Sequence, residues 1–307
     1  MTAAIDRTSE EQRVAIAEFV RDRAAALDRG ETDIRTDIAR TGELGLLRKG
    51  LSGECLSEMV AVIDEVAAES LTVGFSLWAQ RMALEYIDRA PQFLRDRYRD
   101  DLASGRTIGV TAMAAALKHL AGLGELPLVA DRTDDGITVT GPIHWASNVF
   151  PDSVIVFPAR TADGDRLVAV VRADAEGITI ADSPELLALG ATSSTSLKFD
   201  GVRIPQSHIL TEDLANFCGS IRPTFMMLQT SFCVGIARAS LTEAAGRLHG
   251  LGEQFTGEYE ELSAQYESLR ERLYRFATDP TSIAPAEFIR LRLDGSVSRR
   301  TQASRKR

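Results

Sequence analysis

The chain has 307 residues, of which 44% are apolar and 26% charged, and a net charge of −9. This is an ordinary globular balance over roughly two domains' worth of length, which excludes pervasive disorder and a low-complexity or collagen-like protein. The acidity excludes broad nucleic-acid binding, because phosphate contacts need a basic face.

The first block, residues 1–105, reads as a helical domain. Ser9 and Gln12 stand at capping-box spacing, and Ile16, Phe19, Val20, Ala24 and Leu27 follow at helical period. A short helix over 36–40 is expected to end near Gly42. Leu56, Met59, Val60, Ile63 and Ala67 form the next apolar stripe, and Phe75, Trp78, Met82 and Tyr86 another. An aromatic and Met stripe at this spacing is core rather than a ligand wall. Pro91 opens a helix with Leu94, Tyr98 and Leu102 four apart.

The period changes in the second block, residues 106–211. ITVTG alternates behind the Asp135-Gly136 turn. SVIVFPA and RLVAVVRA flank Ala162-Asp163-Gly164-Asp165, a strong hairpin signal. With GITIA and SLKFDGVRIP these predict a central antiparallel β-domain, a small sandwich or barrel. The third block, residues 212–307, is helical again. Pro223 fits a helix start, and Ser231, Val234, Ala237 and Leu241 make a small-residue face. Leu262, Tyr266, Leu269 and Leu273 share one side of a charged helix, and a further helix starts near Pro285. The predicted fold is α+β: an N-terminal helical bundle, a central β-domain and a C-terminal helical bundle.

Cys55, Cys218 and Cys233 form no CxxC and no metal spacing, no apolar run reaches a membrane span, and the polar N-terminus MTAAIDRTSEEQR is not a secretory signal. The expectation is a cytoplasmic protein. The basic stretch at 290–307 reads as a solvated helix end. No Rossmann glycine pattern, P-loop, HExxH or GxSxG occurs.

The layout resembles the acyl-CoA dehydrogenase family of flavoproteins, and several stretches do so in family order. LGLLRKGL is similar to a segment after the second helix, and Ile108-Gly109-Val110-Thr111 to the strand entering the flavin site. DDGITVTGPIHWASNV resembles the strand pair that ends in Trp-Ile-Ser/Thr-Asn, and LGATSSTSLKFDGVRIPQSHIL the following hydroxyl-rich turn and strand. The resemblance implies an FAD cofactor held by Val110, Thr111, Trp145, Ala146 and Ser147. The indole packs along the ring, and the Ser147 hydroxyl reaches the ring's central nitrogen. An apolar plane with one polar edge suits that donor set. It further implies a place for Ser193 and its neighbours near the cofactor, and Arg222 as a substrate-site residue.

The resemblance implies α,β-dehydrogenation of an acyl thioester such as an acyl-CoA, with hydride transfer to FAD. An electron-acceptor flavoprotein or oxygen, and a homo-oligomer or a heteromer with a related subunit, complete the expected partners. Three departures stand beside it. After Thr111 the family's acid-Pro turn gives way to MAAALKHLAGLGEL, in which Lys118 and His119 are the polar residues. The base that most members carry late in the chain has no counterpart before the sequence ends, and Ile221 occupies the other known place, leaving Glu212, Asp213 and Glu243 as the nearest acids. Glu253 and Gln254 stand where a diphosphate-binding arginine is expected, and the bundle's last helices look missing. A flavin-dependent monooxygenase on the same fold, or a non-catalytic subunit paired with a complete homologue, remain as alternatives.

Overall fold

A computed structural model describes residues 2–52, 54–280 and 283–304, with side chains from Ser9 to Gly295 within those ranges. The basic tip at 305–307 lies outside the described residues.

The N-terminal helices are α1 (Thr2–Asp28), α2 (Arg35–Glu43), α3 (Ser57–Glu69), α4 (Leu71–Asp88) and α5 (Gln92–Ala103). The stripes read from the sequence are the buried faces: Ile16, Val20 and Leu27 on α1, Met59, Val60 and Ile63 on α3, Leu94 and Leu102 on α5. Two termini differ from expectation. Ser9 does not begin α1. The helix already runs through the alanine-containing segment before it, and the Ser9 hydroxyl instead accepts from Lys49 Nζ at 2.8 Å. Gly42 lies inside α2 rather than capping it. A Cβ there would stand 2.2 Å from the Ser104 carbonyl, so the glycine serves close approach to the end of α5. Helix α4 starts at Ser70, whose hydroxyl accepts from Val73 N–H, and is buried along almost its full length. Its polar residues therefore need internal partners: Gln80 bonds Gly109 N–H and the Leu102 carbonyl, and Arg81 pairs with Glu85, whereas Ser76 Oγ and Trp78 Nε1 have none.

The central unit holds β1 (Gly109–Thr111), α6 (Ala114–Leu120), β2 (Val129–Thr133), β3 (Gly136–Ala146), β4 (Val154–Thr161), β5 (Arg166–Arg172), β6 (Ile178–Ile180), β7 (Thr195–Pro205) and β8 (Ile209–Thr211). The strand order is β6-β7-β3-β2-β4-β5-β8, with β1 also on β4. The sheet is mixed rather than purely antiparallel, because β1 and β2 both run parallel to β4. Both use the same edge of β4. Val154 N–H bonds Ile108 O and Ala112 N–H bonds Val156 O, whereas Arg160 N–H bonds Leu128 O further along. Residue 158 faces that edge between the two and is Pro158, which has no N–H to leave unpaired. The sheet edge can therefore open at this point without stranding a donor.

Helices α7 (Leu214–Ala245), α8 (Thr256–Thr278) and α9 (Pro285–Ser304) complete the chain. Pro223 does not start α7. Asp213 caps it by accepting from Asn216 N–H at 3.0 Å, and Pro223 falls in the third turn. The carbonyl that a proline deprives of its donor, at Gly219, is on an exposed residue where water can serve it. Gly235 lets α7 run against α3, since a Cβ there would sit 2.3 Å from the Asp64 carbonyl. The two helical blocks share one apolar core, which also takes Val154, Val156, Val168 and Val170 from the near face of the sheet. A second core, with Phe157 and Phe199 edge to face, lies on the sheet's other side.

Candidate functional site

The break in the sheet edge is a cleft of about 240 Å³ lined by Thr111, Lys118, Glu125, Pro158, His144 and Trp145 among others. Its cause is local: β1 ends at Thr111, α6 carries the chain away, and β2 arrives beyond Pro158.

Trp145 reaches this cleft through a β-bulge. Between Ile143↔Leu197 and Ala146↔Thr195 the β3 strand has one residue more than β7. The extra residue is absorbed with Trp145 at φ +60°, and a bulge of this kind re-aims a side chain. The indole is 66% exposed, although tryptophan seldom is. Asn148 is left-handed as well, at φ +63°, and so are Leu189 and Ser193 in the turn before β7. These two strained segments are bonded to each other: Asn148 N–H to Thr192 O at 2.9 Å and Val149 N–H to Ser193 O at 3.1 Å. Left-handed non-glycine residues each cost on the order of 1–3 kcal/mol and persist where the surroundings over-determine them, commonly at functional sites.

Ser147 is buried, and its Oγ lies 2.7 Å from Ser194 Oγ, which lies 2.7 Å from Thr192 Oγ1; the Thr192 hydroxyl donates to Leu189 O at 2.7 Å. The structure thus joins Ser147 to the hydroxyl-rich turn before β7, and Ser147 is not among the residues lining the cleft. Ala146 is buried and paired with Thr195. Thr111 lines the cleft, and its Oγ1 lies 2.9 Å from the Tyr86 hydroxyl. Because Ile108 and Ala112 carry the ladder to β4, the evenly spaced parallel pattern points the Thr111 N–H and C=O to the opposite edge of β1. Val110 has its side chain fully buried in the second core.

The remaining candidates scatter. Lys118 lines the cleft from α6, while His119 turns to Gly124 O at 3.0 Å. Arg222 does not line the cleft; it is half-buried in α7 beside Cys218, whose thiol burial pushes up to about 11 against the pull of that cation. Ile221 is buried. Glu212 pairs with Arg132, Asp213 caps α7 and Glu243 pairs with Arg247, so none of the three acids reaches the cleft. Glu253 and Gln254 are exposed. Phe75, Trp78 and Met82 are core, as expected, with Trp78 edge-on to Phe225.

Three residues escaped the sequence reading. Asn148 is wholly buried, donates to Ser76 O at 2.9 Å, and ties the end of β3 to α4. Tyr86 reads as one more apolar position in a helical stripe, yet it is hydroxyl partner to Thr111. Glu125 is the acid among the described residues lining the cleft. Only the Asn148 position had a signal, as the last residue of the Trp-Ala-Ser-Asn run.

No family model matches the chain. Benzylmalonyl-CoA dehydrogenase of Aromatoleum aromaticum is 27% identical over 253 residues, 78% of this chain and 66% of the relative, so the match spans just under two thirds of that relative's length. Glutaryl-CoA dehydrogenase from Mycobacterium smegmatis, solved with FADH2, superposes with a TM-score of 0.82 at 18% identity, covering 98% of this chain and 84% of that one. Dibenzothiophene monooxygenase from Paenibacillus sp. A11-2 superposes with a TM-score of 0.76 at 18% identity over 95% and 82%. At those identities the structures establish the fold, and the curated relative adds sequence kinship over most of the chain. The chain has the fold of the acyl-CoA dehydrogenases and is similar in sequence to one of them over most of its length.

Proposed function

We propose that the chain is an FAD-dependent oxidoreductase that removes two hydrogens from adjacent carbons of an acyl thioester. The observation that carries this reading is the indole of Trp145, turned outward by a strained bulge onto a cleft whose other walls are apolar groups with Thr111, Lys118, Glu125 and His144 among them. Two walls of the cleft fit a flavin: the flat indole of Trp145 for the ring, and the free edge of β1 at Thr111 for the polar end, with Ser147 buried two residues on from the indole. Bound FAD supplies hydride acceptance. Trp145 would hold the ring plane, Thr111 would read its polar end through backbone N–H and C=O, and Ala146 and Val110 would back it from the two strands. Glu125, the cleft's carboxylate, is the proton acceptor this reading assigns.

Purified protein loaded with FAD tests it. Anaerobic addition of an acyl-CoA should bleach the flavin, and Glu125→Gln should retain FAD but slow bleaching about 100-fold or more, the usual weight of a general base. Bleaching at an unchanged rate in Glu125→Gln removes Glu125 from the reaction. The second reading, a flavin monooxygenase that needs no such base, is favoured by the position of Glu212, Asp213 and Glu243 away from the cleft. It predicts no anaerobic bleaching, and oxygen uptake only when a flavin reductase is supplied. An electron-acceptor flavoprotein is the partner of the first reading, and oxygen that of the second.

A further inference from the structure

Between Ala121 and Leu126 the chain forms a thin strap along the cleft. One end is fixed where α6 stops, with Ala121 N–H on the Leu117 and Lys118 carbonyls. The other is fixed at Leu126, which is buried and whose carbonyl accepts from Arg160 Nε at 3.2 Å. Between these anchors Gly122 and Gly124 stand at φ +71° and +138°, and a Cβ on either would meet nothing within 4 Å. Glycine enters that left-handed region without a clash, and so suits a pivot. Leu123 between them is 74% exposed. Leu123, Gly124 and Glu125 line the cleft, and on the strap's other side Gly122, Gly124 and Arg166 are among the residues around an open hollow of about 490 Å³. The strap therefore has space on both faces. Gly122 and Leu123 N–H each hold a helix-end carbonyl at 2.9 Å, and one side chain ties the strap down: His119, whose Nδ1–H donates to Gly124 O at 3.0 Å.

The other walls are held in place. Ile143 and Pro158 sit in the paired strands β3 and β4, Ala112 N–H bonds Val156 O, and the Leu128 carbonyl accepts from Arg160 N–H. Helix α6 is anchored by the fully buried Met113 and Ala116. At about 240 Å³ the cleft is also smaller than the roughly 300–1,000 Å³ of a small-molecule site. A ligand with a tricyclic ring needs a wall to move, and the strap is the wall with room behind it. We infer that the strap at 121–125 is the gate of the cleft, swinging on Gly122 and Gly124 with the bond from His119 to Gly124 as its latch, which rests on the proposed function of this cleft and deepens it. In the latched position Leu123 and Glu125 are both on the cleft wall, so an apolar cover and a carboxylate return together when the gate shuts. His119 is not among the cleft's lining residues, and so the latch acts without touching what the cleft holds.

The test has two arms, amide hydrogen exchange in the flavin-free protein and stopped-flow binding of FAD read by Trp145 emission. His119→Ala removes the latch. Exchange at the Leu123 amide should quicken about fivefold, the weight of one hydrogen bond, while amides of the β4–β5 hairpin stay unchanged. The latch shuts the strap with or without ligand, so its loss should speed FAD association and FAD release alike, each about fivefold, and leave Kd within about twofold. A substitution that merely loosened the fold would weaken Kd through release alone. His119→Phe keeps the ring without the donor; it should give the same shifts, and it serves if His119→Ala does not fold. Unchanged exchange at Leu123, or an unchanged association rate in protein that binds FAD, overturns the inference alone. Protein that takes up no FAD overturns the functional reading, and the exchange arm then decides whether the strap opens.

Discussion

Trp145 and Glu85 show two opposite uses of an unusual residue environment. Trp145 accepts a left-handed backbone and exposure, and the proposed function gives both a role in holding a ligand's plane. Aromatic stacking contributes about 1 kcal/mol beyond area burial, so Trp145→Ala should weaken FAD binding roughly five- to tenfold in a fluorescence titration, with little change in melting temperature. Glu85 is the reverse case, almost fully buried between Arg81 and Arg89 and accepting from Thr224 at 3.3 Å. Burial alone would raise its carboxyl, but the two guanidiniums outweigh this and hold it below the usual carboxylate value. A lowered folded-state value means that its contribution is complete above the unfolded carboxylate pKa of about 4.3 and is lost as pH falls through the folded value. Glu85→Ala should cost about 3–5 kcal/mol by denaturant unfolding at neutral pH, because it strands the buried Arg81. Glu85→Gln should flatten the acid limb of the stability curve below about pH 4. At this scale the sequence proposed Trp145, Thr111 and Ser147 through local motifs, and the structure puts Trp145 and Thr111 on the cleft and Ser147 outside its lining. It could not carry Ser194 as the partner of Ser147, or Tyr86 as the partner of Thr111, since both pairings exist only once distant segments pack.

Among the elements, the alternating strands and the DG hairpin between β4 and β5 were legible because period 2 and turn chemistry are local signals. The parallel entry of β1 and β2 was not, because the pairing of strand with strand leaves no periodic trace in either. Pro158 is the residue that shows why a cleft forms there, and its meaning depends on knowing which edge of β4 it faces. The start of α7 was misplaced for a related reason: Pro223 suits a first turn in isolation, but the cap at Asp213 and the buried face from Leu214 onward extend the helix past it. Gly235 marks the contact between α7 and α3. Gly235→Ala would push a methyl into the Asp64 carbonyl and Ala67. It should destabilise the protein by about 1–3 kcal/mol, read as a lower urea midpoint at unchanged slope.

On the scale of the whole molecule, the order of helical, β and helical blocks was legible in the sequence, but the joint core of the two helical blocks was not. The fully buried Met59, Ile63 and Ala67 of α3 belong to one cluster with Leu228, Val234 and Ala237 of α7. Residues 1–105 expressed alone would expose that face, and should show no cooperative thermal unfolding by circular dichroism. No described helix is long and apolar enough to cross a membrane. The cleft is lined by the central unit alone, and the claim that a flavin ring rests there on Trp145 underlies the rest. Its most direct test is the FAD retained by the protein after gel filtration, read together with the emission of the exposed indole, isolated by comparison with Trp145→Phe. Stoichiometric FAD with strong quenching of the Trp145 emission is the predicted result. Protein that leaves the column without flavin, or that holds FAD while the Trp145 emission is untouched, contradicts it.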